Sequence, residues 1–320
     1  MKLARKLMAA SAVAMMATGA MAADIAVIGG SNDDAFWNII KKGLDDATPG
    51  IVANGGSVNY LRLVNYDNFA PDVVQLIRTA ISMEVDGLVI PNWVPEAEDP
   101  AIKDAMAAGI KVILMNAGGA DKARELGAIN YVGSDEYVAG VAGGEYFASH
   151  GQKNVLCVNT IPGAANLEAR CQGVIDGMTA GGGTAAQLPL PSTSFGDATA
   201  VAEAIKAELL KDETIDGIIT ISAGDADSAA VGIDQAGKTG ATMLGSFDLN
   251  QAGLDRIKGS TQMFAIDQQP YLQGYLAASL LASAIDFGTS LPTFPVLTGP
   301  GIVDASNIDA TLAGVAKGAR

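Results

Sequence analysis

An internal repeat constrains the fold of this chain more than any other feature of its sequence. The strands predicted to begin at Asp24 and Asn154 each lead through a polar turn into a helix, with Gly43 and Gly173 at equivalent helical positions. The segment VDGLV recurs as IDGII at the same offset of 130 residues. Because strands alternate with helices in both copies, the repeat predicts an α/β fold of two similar, doubly wound lobes, each with a parallel sheet.

The residues after the second copy are too few for a third lobe. A predicted strand at 263–266 and a predicted helix at 271–287 precede an extended tail that contains several prolines. We expect these elements to join both lobes through several chain crossings, which would limit relative motion to a hinge. The expected lobes comprise residues 24–134 with 268–296 and residues 135–267 with 297–320.

The first 22 residues have the pattern of a secretory signal peptide. Lys2, Arg5 and Lys6 precede an apolar run that is too short to span a bilayer, and an A-x-A cleavage pattern ends at Ala22. We therefore expect cleavage after Ala22 and a location outside the cytoplasm.

A location outside the cytoplasm bears on the state of the two cysteines. An oxidising environment permits a disulfide between Cys157 and Cys171, and two buried thiols are the alternative. With two cysteines and a single histidine, no structural zinc site is expected. The formal net charge of −15 and the lack of a basic patch argue against a nucleic-acid partner.

The turn after the first strand carries the clearest signal of a binding site. Asp34 stands directly before the predicted helix, and two aromatic residues, Phe36 and Trp37, open it. Ligands of open α/β sheets bind beyond the carboxyl ends of the strands. A carboxylate accepts hydrogen bonds from hydroxyls, and an aromatic ring packs against C–H groups. The turn therefore favours a small polyhydroxylated ligand, with an ordinary strand–helix turn and core aromatics as the alternative.

Several short motifs follow in an order that resembles a known family. The strand–turn–AFW opening, ARCQGV at 169–174, GSFD at 245–248 and QQP at 268–270 are similar to those of periplasmic sugar-binding proteins of the ribose- and galactose-binding type, the type I periplasmic binding proteins. The resemblance extends over nearly the whole chain after the signal peptide. It implies a periplasmic monomer without a cofactor or bound metal, which captures a sugar or polyol by hinge closure. It also implies delivery of that ligand to an ABC permease and its ATPase.

The resemblance and the repeat together nominate eleven ligand-binding residues. Under the offset of 130, Phe36 corresponds to Asn166, and Asn92 follows the end of a predicted strand. The ribose type has an arginine where this chain has Ala117, and both types have an asparagine where this chain has Ala226, flanked by acids. The candidates are Asp34, Phe36, Trp37, Asn92, Asn116, Asn166, Arg170, Asp225, Asp227, Asp248 and Gln268.

Other roles are open for some of these residues. Arg170 could pair with Glu168 or Asp176 on a solvated helix face, and Asp248 could be only a helix N-cap. Trp37 could belong to the core. Phe195 could cover the ligand or pack at the surface.

Two other functional classes are considered. The receptor could present its ligand to a chemoreceptor or a sensor kinase. A glycosidase with a carboxylate pair is a weaker alternative. A serine hydrolase is not expected, because the sequence has no G-x-S-x-G motif and its single histidine, His150, is predicted at a helix end.

Overall fold

The computed structural model describes residues 22–291 and 293–320. The predicted signal peptide, apart from Ala22, lies outside the described residues. In the part of the chain that is described, no helix is long and apolar enough to cross a membrane.

The first sheet is entirely parallel and has six strands. Its strands are β1 (Asp24–Gly29), β2 (Ser57–Arg62), β3 (Gly87–Ile90), β4 (Lys111–Met115), β5 (Asn130–Ser134) and β11 (Val296–Gly299). Their order across the sheet is β11-β5-β4-β3-β1-β2. The helices of this first lobe are α1 (Ala35–Ala53), α2 (Phe69–Ser82), α3 (Pro95–Ala107), α4 (Gly119–Leu126) and α10 (Pro270–Asp286).

The second sheet repeats this arrangement except at one edge, where its last strand is antiparallel. Its strands are β6 (Asn154–Asn159), β7 (Thr184–Pro189), β8 (Gly217–Thr220), β9 (Met243–Phe247), β10 (Phe264–Asp267) and β12 (Gly301–Asp304). Their order is β12-β10-β9-β8-β6-β7. The helices of this second lobe are α5 (Glu136–Ser149), α6 (Ala165–Ala180), α7 (Ala198–Lys211), α8 (Ala223–Gln235), α9 (Gln251–Lys258) and α11 (Ile308–Ala316). Two similar α/β lobes are therefore present, and the predicted fold class is confirmed.

The repeat has a direct structural basis in strand register and helix packing. Ile25 pairs with Gly87 in the first sheet, and Val155 pairs with Gly217 in the second, so the register is the same at an offset of 130 residues. A Cβ atom at Gly43 would lie 2.1 Å from the carbonyl oxygen of a residue on α10. One at Gly173 would lie 2.3 Å from the carbonyl oxygen of a residue on α5. Each lobe therefore requires glycine where two helices cross closely.

The chain passes between the two sheets three times within the described residues. It crosses at Asp135, between β5 and α5, and at Gln268, between β10 and α10. β11 pairs with β5 as far as Gly299, so the third crossing lies at Pro300, directly before β12. Because three adjacent crossings connect the lobes, their relative motion is limited to hinge bending.

A disulfide joins Cys157 on β6 to Cys171 on α6, with 5.5 Å between their Cα atoms. Both residues are fully buried, and the bond ties the helix to the strand that precedes it. The alternative of two free thiols is therefore wrong.

We expect replacement of both cysteines by alanine to lower the free energy of unfolding by about 3 kcal/mol. The disulfide joins residues that lie 14 positions apart and so closes a loop. Its removal restores conformational entropy to the unfolded chain. Urea unfolding of the wild type and the double variant measures the difference. Midpoints that coincide under oxidising conditions would contradict a stabilising role.

Candidate ligand-binding site

The carboxyl ends of the two sheets face each other across a cleft with two adjoining compartments. The outer compartment has a volume of about 340 Å³, within the range of small-molecule sites. The central compartment is smaller, about 50 Å³, and is surrounded by side chains of both lobes. Both compartments are lined by Asp34, Phe36, Phe195, Ser222 and Asp248.

Asp34 is held in place by the turn that it begins. It is the N-cap of α1, where its Oδ1 accepts a hydrogen bond from the backbone N–H of Phe36 at 3.1 Å. Its Oδ2 accepts a hydrogen bond from the Tyr66 hydroxyl at 2.8 Å. Burial raises the pKa of Asp34, and the hydrogen bond from Tyr66 opposes that change. The carboxylate is thus oriented by the fold before any ligand binds.

Six aromatic rings line the central compartment, and they pack against one another mainly edge to face. Trp37 makes such contacts with Phe36 and with Trp93, each with ring centroids 5.4 Å apart. Trp37 is only 3% exposed, so it belongs both to the core and to the wall of the site. The sequence did not nominate three of these rings, although each follows the end of a strand in the first sheet: Tyr66, Phe69 and Trp93.

Arg170 lies in the central compartment and not on a solvated helix face. Its guanidinium donates from Nε to Glu136 Oε2 at 2.6 Å and from Nη1 to the Ile221 carbonyl at 2.7 Å. The guanidinium also lies 4.4 Å from the centroid of the Phe247 ring. The proposed pairing with Glu168 or Asp176 is therefore wrong.

Asp248 and Gln268 form a pair at the second crossing. The Gln268 amide donates a hydrogen bond to the Asp248 carboxylate. The backbone of Asp248 is left-handed, with φ +65°. The pKa of Asp248 is raised to about 7, because the effect of burial outweighs the opposing effect of the nearby Arg170. Asn250, not Asp248, is the N-cap of α9, so the capping role proposed for Asp248 is wrong.

Asn116 and Asn166 reach the central compartment from opposite lobes. The Asn116 amide donates to Gln273 at 3.3 Å, and Asn116 also has a left-handed backbone, with φ +65°. Asn166 Oδ1 is buried and has no hydrogen-bond partner among residues 22–291 and 293–320. An amide oxygen left in this state is available to a hydroxyl of a ligand.

The remaining three candidates lie farther from the centre. Asp225 lines the outer compartment and accepts hydrogen bonds from Thr160 and Ser222, both at 2.9 Å. Burial raises the pKa of Asp225 to about 6. Asp227 also lines the outer compartment and forms an ion pair with Arg256.

Asn92 differs from the other ten candidates because it lines neither compartment. It is fully buried, and its amide donates to Asp99 at 2.9 Å. The neighbouring Trp93 takes the place at the cavity wall that the sequence assigned to Asn92.

The site as a whole is suited to binding. It combines ring faces with amide and carboxylate oxygens, which match the C–H faces and hydroxyls of a polyol. His150 lies at the end of α5, stacked on Tyr146, and lines neither compartment. Within the described residues, no group of three or more His, Cys, Asp or Glu side chains is placed to hold a metal ion.

Comparison with known proteins identifies the family. The model of the periplasmic binding protein domain matches residues 25–290. The chain is 25% identical to the xylose/arabinose-binding protein XylF of Sulfolobus acidocaldarius over 254 residues, or 74% of this chain and 61% of that protein. A match over 61% of that relative leaves the activity, substrates and partners of this protein to be proposed.

Two solved structures extend the comparison. A carbohydrate transporter from Acidothermus cellulolyticus in complex with myo-inositol is 35% identical, with a TM-score of 0.84 over 93% of this chain and 99% of that one. An ABC transporter solute-binding protein from Agrobacterium vitis bound with α-D-tagatopyranose has a TM-score of 0.75 over 92% of this chain and 98% of that one. At 24% identity, the second shows the shared fold alone. The resemblance seen in the sequence is therefore confirmed, and the chain belongs to the periplasmic binding protein family.

Proposed function

We propose that this protein captures a sugar or polyol between the walls of the central compartment, which opens into the outer compartment, and delivers it to an ABC importer. The observation that carries this proposal is the pairing of two kinds of wall around one cavity. The first lobe supplies ring faces and the Asp34 carboxylate, and the second supplies Asn166, Arg170 and Asp248. A ring with hydroxyls at its rim and C–H groups on its faces satisfies both walls at once.

The charges at the site favour a neutral ligand. The outer compartment is lined by seven aspartates and one arginine, and that arginine, Arg320, is already paired with Asp267. Arg170 is likewise paired with Glu136. A sugar phosphate or uronate would meet uncompensated carboxylates in a buried setting, which is unfavourable.

Direct contacts between the lobes support a mechanism of hinge closure. The rings of Tyr66 and Phe195 meet across the cleft with centroids 4.9 Å apart. The backbone N–H of Ala165 donates to the Trp93 carbonyl at 2.7 Å. Such contacts exist only when the lobes are closed. A ligand that touches both walls therefore shifts the equilibrium toward the closed form, which the permease would recognise.

A thermal-shift screen tests the proposed ligand class. The relative that is 35% identical was solved with myo-inositol, so cyclitols belong in the library with pentoses, hexoses and sugar alcohols. At a concentration of 100 Kd, a bound ligand adds about 2.7 kcal/mol to the free energy of unfolding. A library in which no sugar or polyol raises the melting temperature would contradict the proposal. Turnover of nitrophenyl glycosides would instead favour the glycosidase alternative.

The location and the partners follow from the same proposal. Cleavage after Ala22 would release the protein into the periplasm, where it would meet the permease and its ATPase. Presentation to a chemoreceptor or sensor kinase remains the alternative use of the same closed form.

We expect the affinity for the ligand to fall as the pH decreases below about 7. Burial raises the pKa of Asp248 to about 7, and an ionised carboxylate accepts a hydroxyl hydrogen bond more strongly than a protonated one. Protonation therefore competes with binding, and Kd rises by up to about tenfold per pH unit. Calorimetric titration between about pH 5 and about pH 8.5 measures the slope. Replacement of Asp248 by asparagine should remove the inflection near pH 7, and an unchanged inflection would assign it to another group.

A further inference from the structure

A second cavity, of about 440 Å³, lies between the lobes beside the crossing at Asp135. The start of α4 and part of β11 form its wall on the first lobe, and the starts of α5 and α6 form its wall on the second. Of the residues that the structure describes, only Asn166 lines both this cavity and the central compartment. The two spaces are therefore neighbours that share part of one wall.

Three buried oxygen atoms at this cavity have no hydrogen-bond partner in the described part of the chain: Ser134 Oγ, Glu136 Oε1 and Asn166 Oδ1. Their residues are only 1%, 7% and 6% exposed, and all three line the second cavity. A buried polar atom without a partner is unfavourable, because it has lost its hydrogen bonds to water. Three such atoms on residues that line one space favour a ligand that brings hydroxyl groups to this wall.

The chemistry of the wall selects the kind of ligand. The other carboxylate oxygen of Glu136 is bound by Arg170 at 2.6 Å, which leaves Oε1 free to accept. A carboxylate oxygen and an amide oxygen both require a donor, and a serine hydroxyl can accept or donate. Tyr137, Ala169 and Leu297 add apolar surface to the same wall. This combination suits ring hydroxyls with adjacent C–H groups.

Charge disfavours an anion in the second cavity. Asp121, Asp135 and Glu136 line it, and the only arginine in its wall among the described residues, Arg124, forms a surface ion pair with Asp121 at 2.9 Å. A carboxylate or phosphate ligand would thus meet three acidic side chains and one arginine whose charge Asp121 already offsets. A neutral hydroxyl donor meets no such penalty.

We propose that the second cavity is a binding site for a hydroxyl-bearing ring, separate from the central compartment. The ring belongs either to a second polyol molecule or to the second ring of a glycoside whose first ring occupies the central compartment. Asn166, which borders both spaces, would serve both ligands or both rings.

The test uses a substitution that fills the second cavity alone. Ala169 lines the second cavity and neither compartment of the main site, so Ala169→Phe narrows the second cavity and leaves the main walls intact. Ala180→Phe is the matched control, because Ala180 is an exposed residue at the end of the same helix. Ser134→Ala is a second variant that removes one of the three unpartnered atoms without adding bulk.

Calorimetric titration into the millimolar range distinguishes the two sources of the ring. The probes are myo-inositol and D-xylose as single rings and an α-galactoside of myo-inositol as a two-ring ligand. We expect the wild type and Ala180→Phe to bind two single rings per chain, or to bind the galactoside at least about tenfold more tightly than myo-inositol. Ala169→Phe should lose the second binding event, or the gain in affinity for the galactoside. Ser134→Ala should weaken the same binding severalfold. The dissociation constant of the first binding event should change by less than about twofold in both variants.

Two results would overturn the second site and leave the proposed function standing. One is a single bound ring per chain in the wild type with no gain from the galactoside. The other is a second event or gain that survives unchanged in both Ala169→Phe and Ser134→Ala. Absence of any sugar or polyol binding in the broader screen would instead remove the proposed function itself.

Discussion

Replacement of Arg170 by alanine is expected to abolish ligand binding and to lower the free energy of unfolding by about 3–5 kcal/mol. The sequence alone predicts only weaker binding, because it places Arg170 at the ligand without a partner. In the structure, the substitution leaves Glu136 buried and uncompensated. Burial already raises the pKa of Glu136, and Arg170 is the group that opposes this change. Urea unfolding and calorimetric titration measure the two effects.

A double variant separates the contribution of the charge pair from that of packing. Arg170→Met combined with Glu136→Gln removes both charges and keeps most of the volume. Buried ion pairs replaced in this way are often neutral in stability, so most of the lost free energy should return. Ligand binding should stay lost, because the guanidinium is gone. Equal destabilisation in the single alanine variant and the double variant would show that the unpaired carboxylate is not the cause.

Replacement of Trp37 by alanine is expected to cost about 3–5 kcal/mol of stability and to weaken binding as well. Trp37 is almost fully buried and holds two other rings in place by edge contacts, so its loss leaves a cavity in the core. Phe36→Ala should weaken binding to a similar extent but cost clearly less stability, because Phe36 is only partly buried. The same two measurements on both variants test this contrast.

The outcome of that comparison separates the two roles of the aromatic pair. If Phe36→Ala destabilises as much as Trp37→Ala, both rings are primarily structural. If Trp37→Ala binds ligand normally after correction for its unfolded fraction, Trp37 belongs to the core alone. A Phe36→Leu variant is the matched control for apolar volume without a ring face.

Sequence periodicity was sufficient for the fold because the determinants of each lobe are local and occur twice. Alternating strands and helices specify a parallel sheet, and the equal spacing of Gly43 and Gly173 reflects the same close helix crossing in both lobes. The elements that escaped this reasoning include α4 and also α11, which lies in the tail predicted as extended. The short helix α4 has glycine at its start and few apolar residues, so it lacks the periodic pattern that marks longer helices.

The position of the candidate site also followed from the sequence, because ligands of parallel sheets bind where the strands end. Ten of the eleven nominated residues line the cleft for that reason. Asn92 does not, since the backbone at the end of β3 turns its side chain toward Asp99 and presents Trp93 to the cavity. A difference of one residue in a loop depends on backbone direction, which residue types alone do not determine.

The sequence by itself determined the two-lobed fold, the edge of the sheets at which the cleft lies and most of the residues that line it. Only the tertiary structure decided which of those residues are paired and buried. Glu136 contacts Arg170, which lies 34 positions away in the sequence, and Tyr66 contacts Asp34, which lies 32 positions away. The physical reason is that charge and solvation depend on neighbours brought together by folding, whereas strand and helix patterns depend on neighbours along the chain.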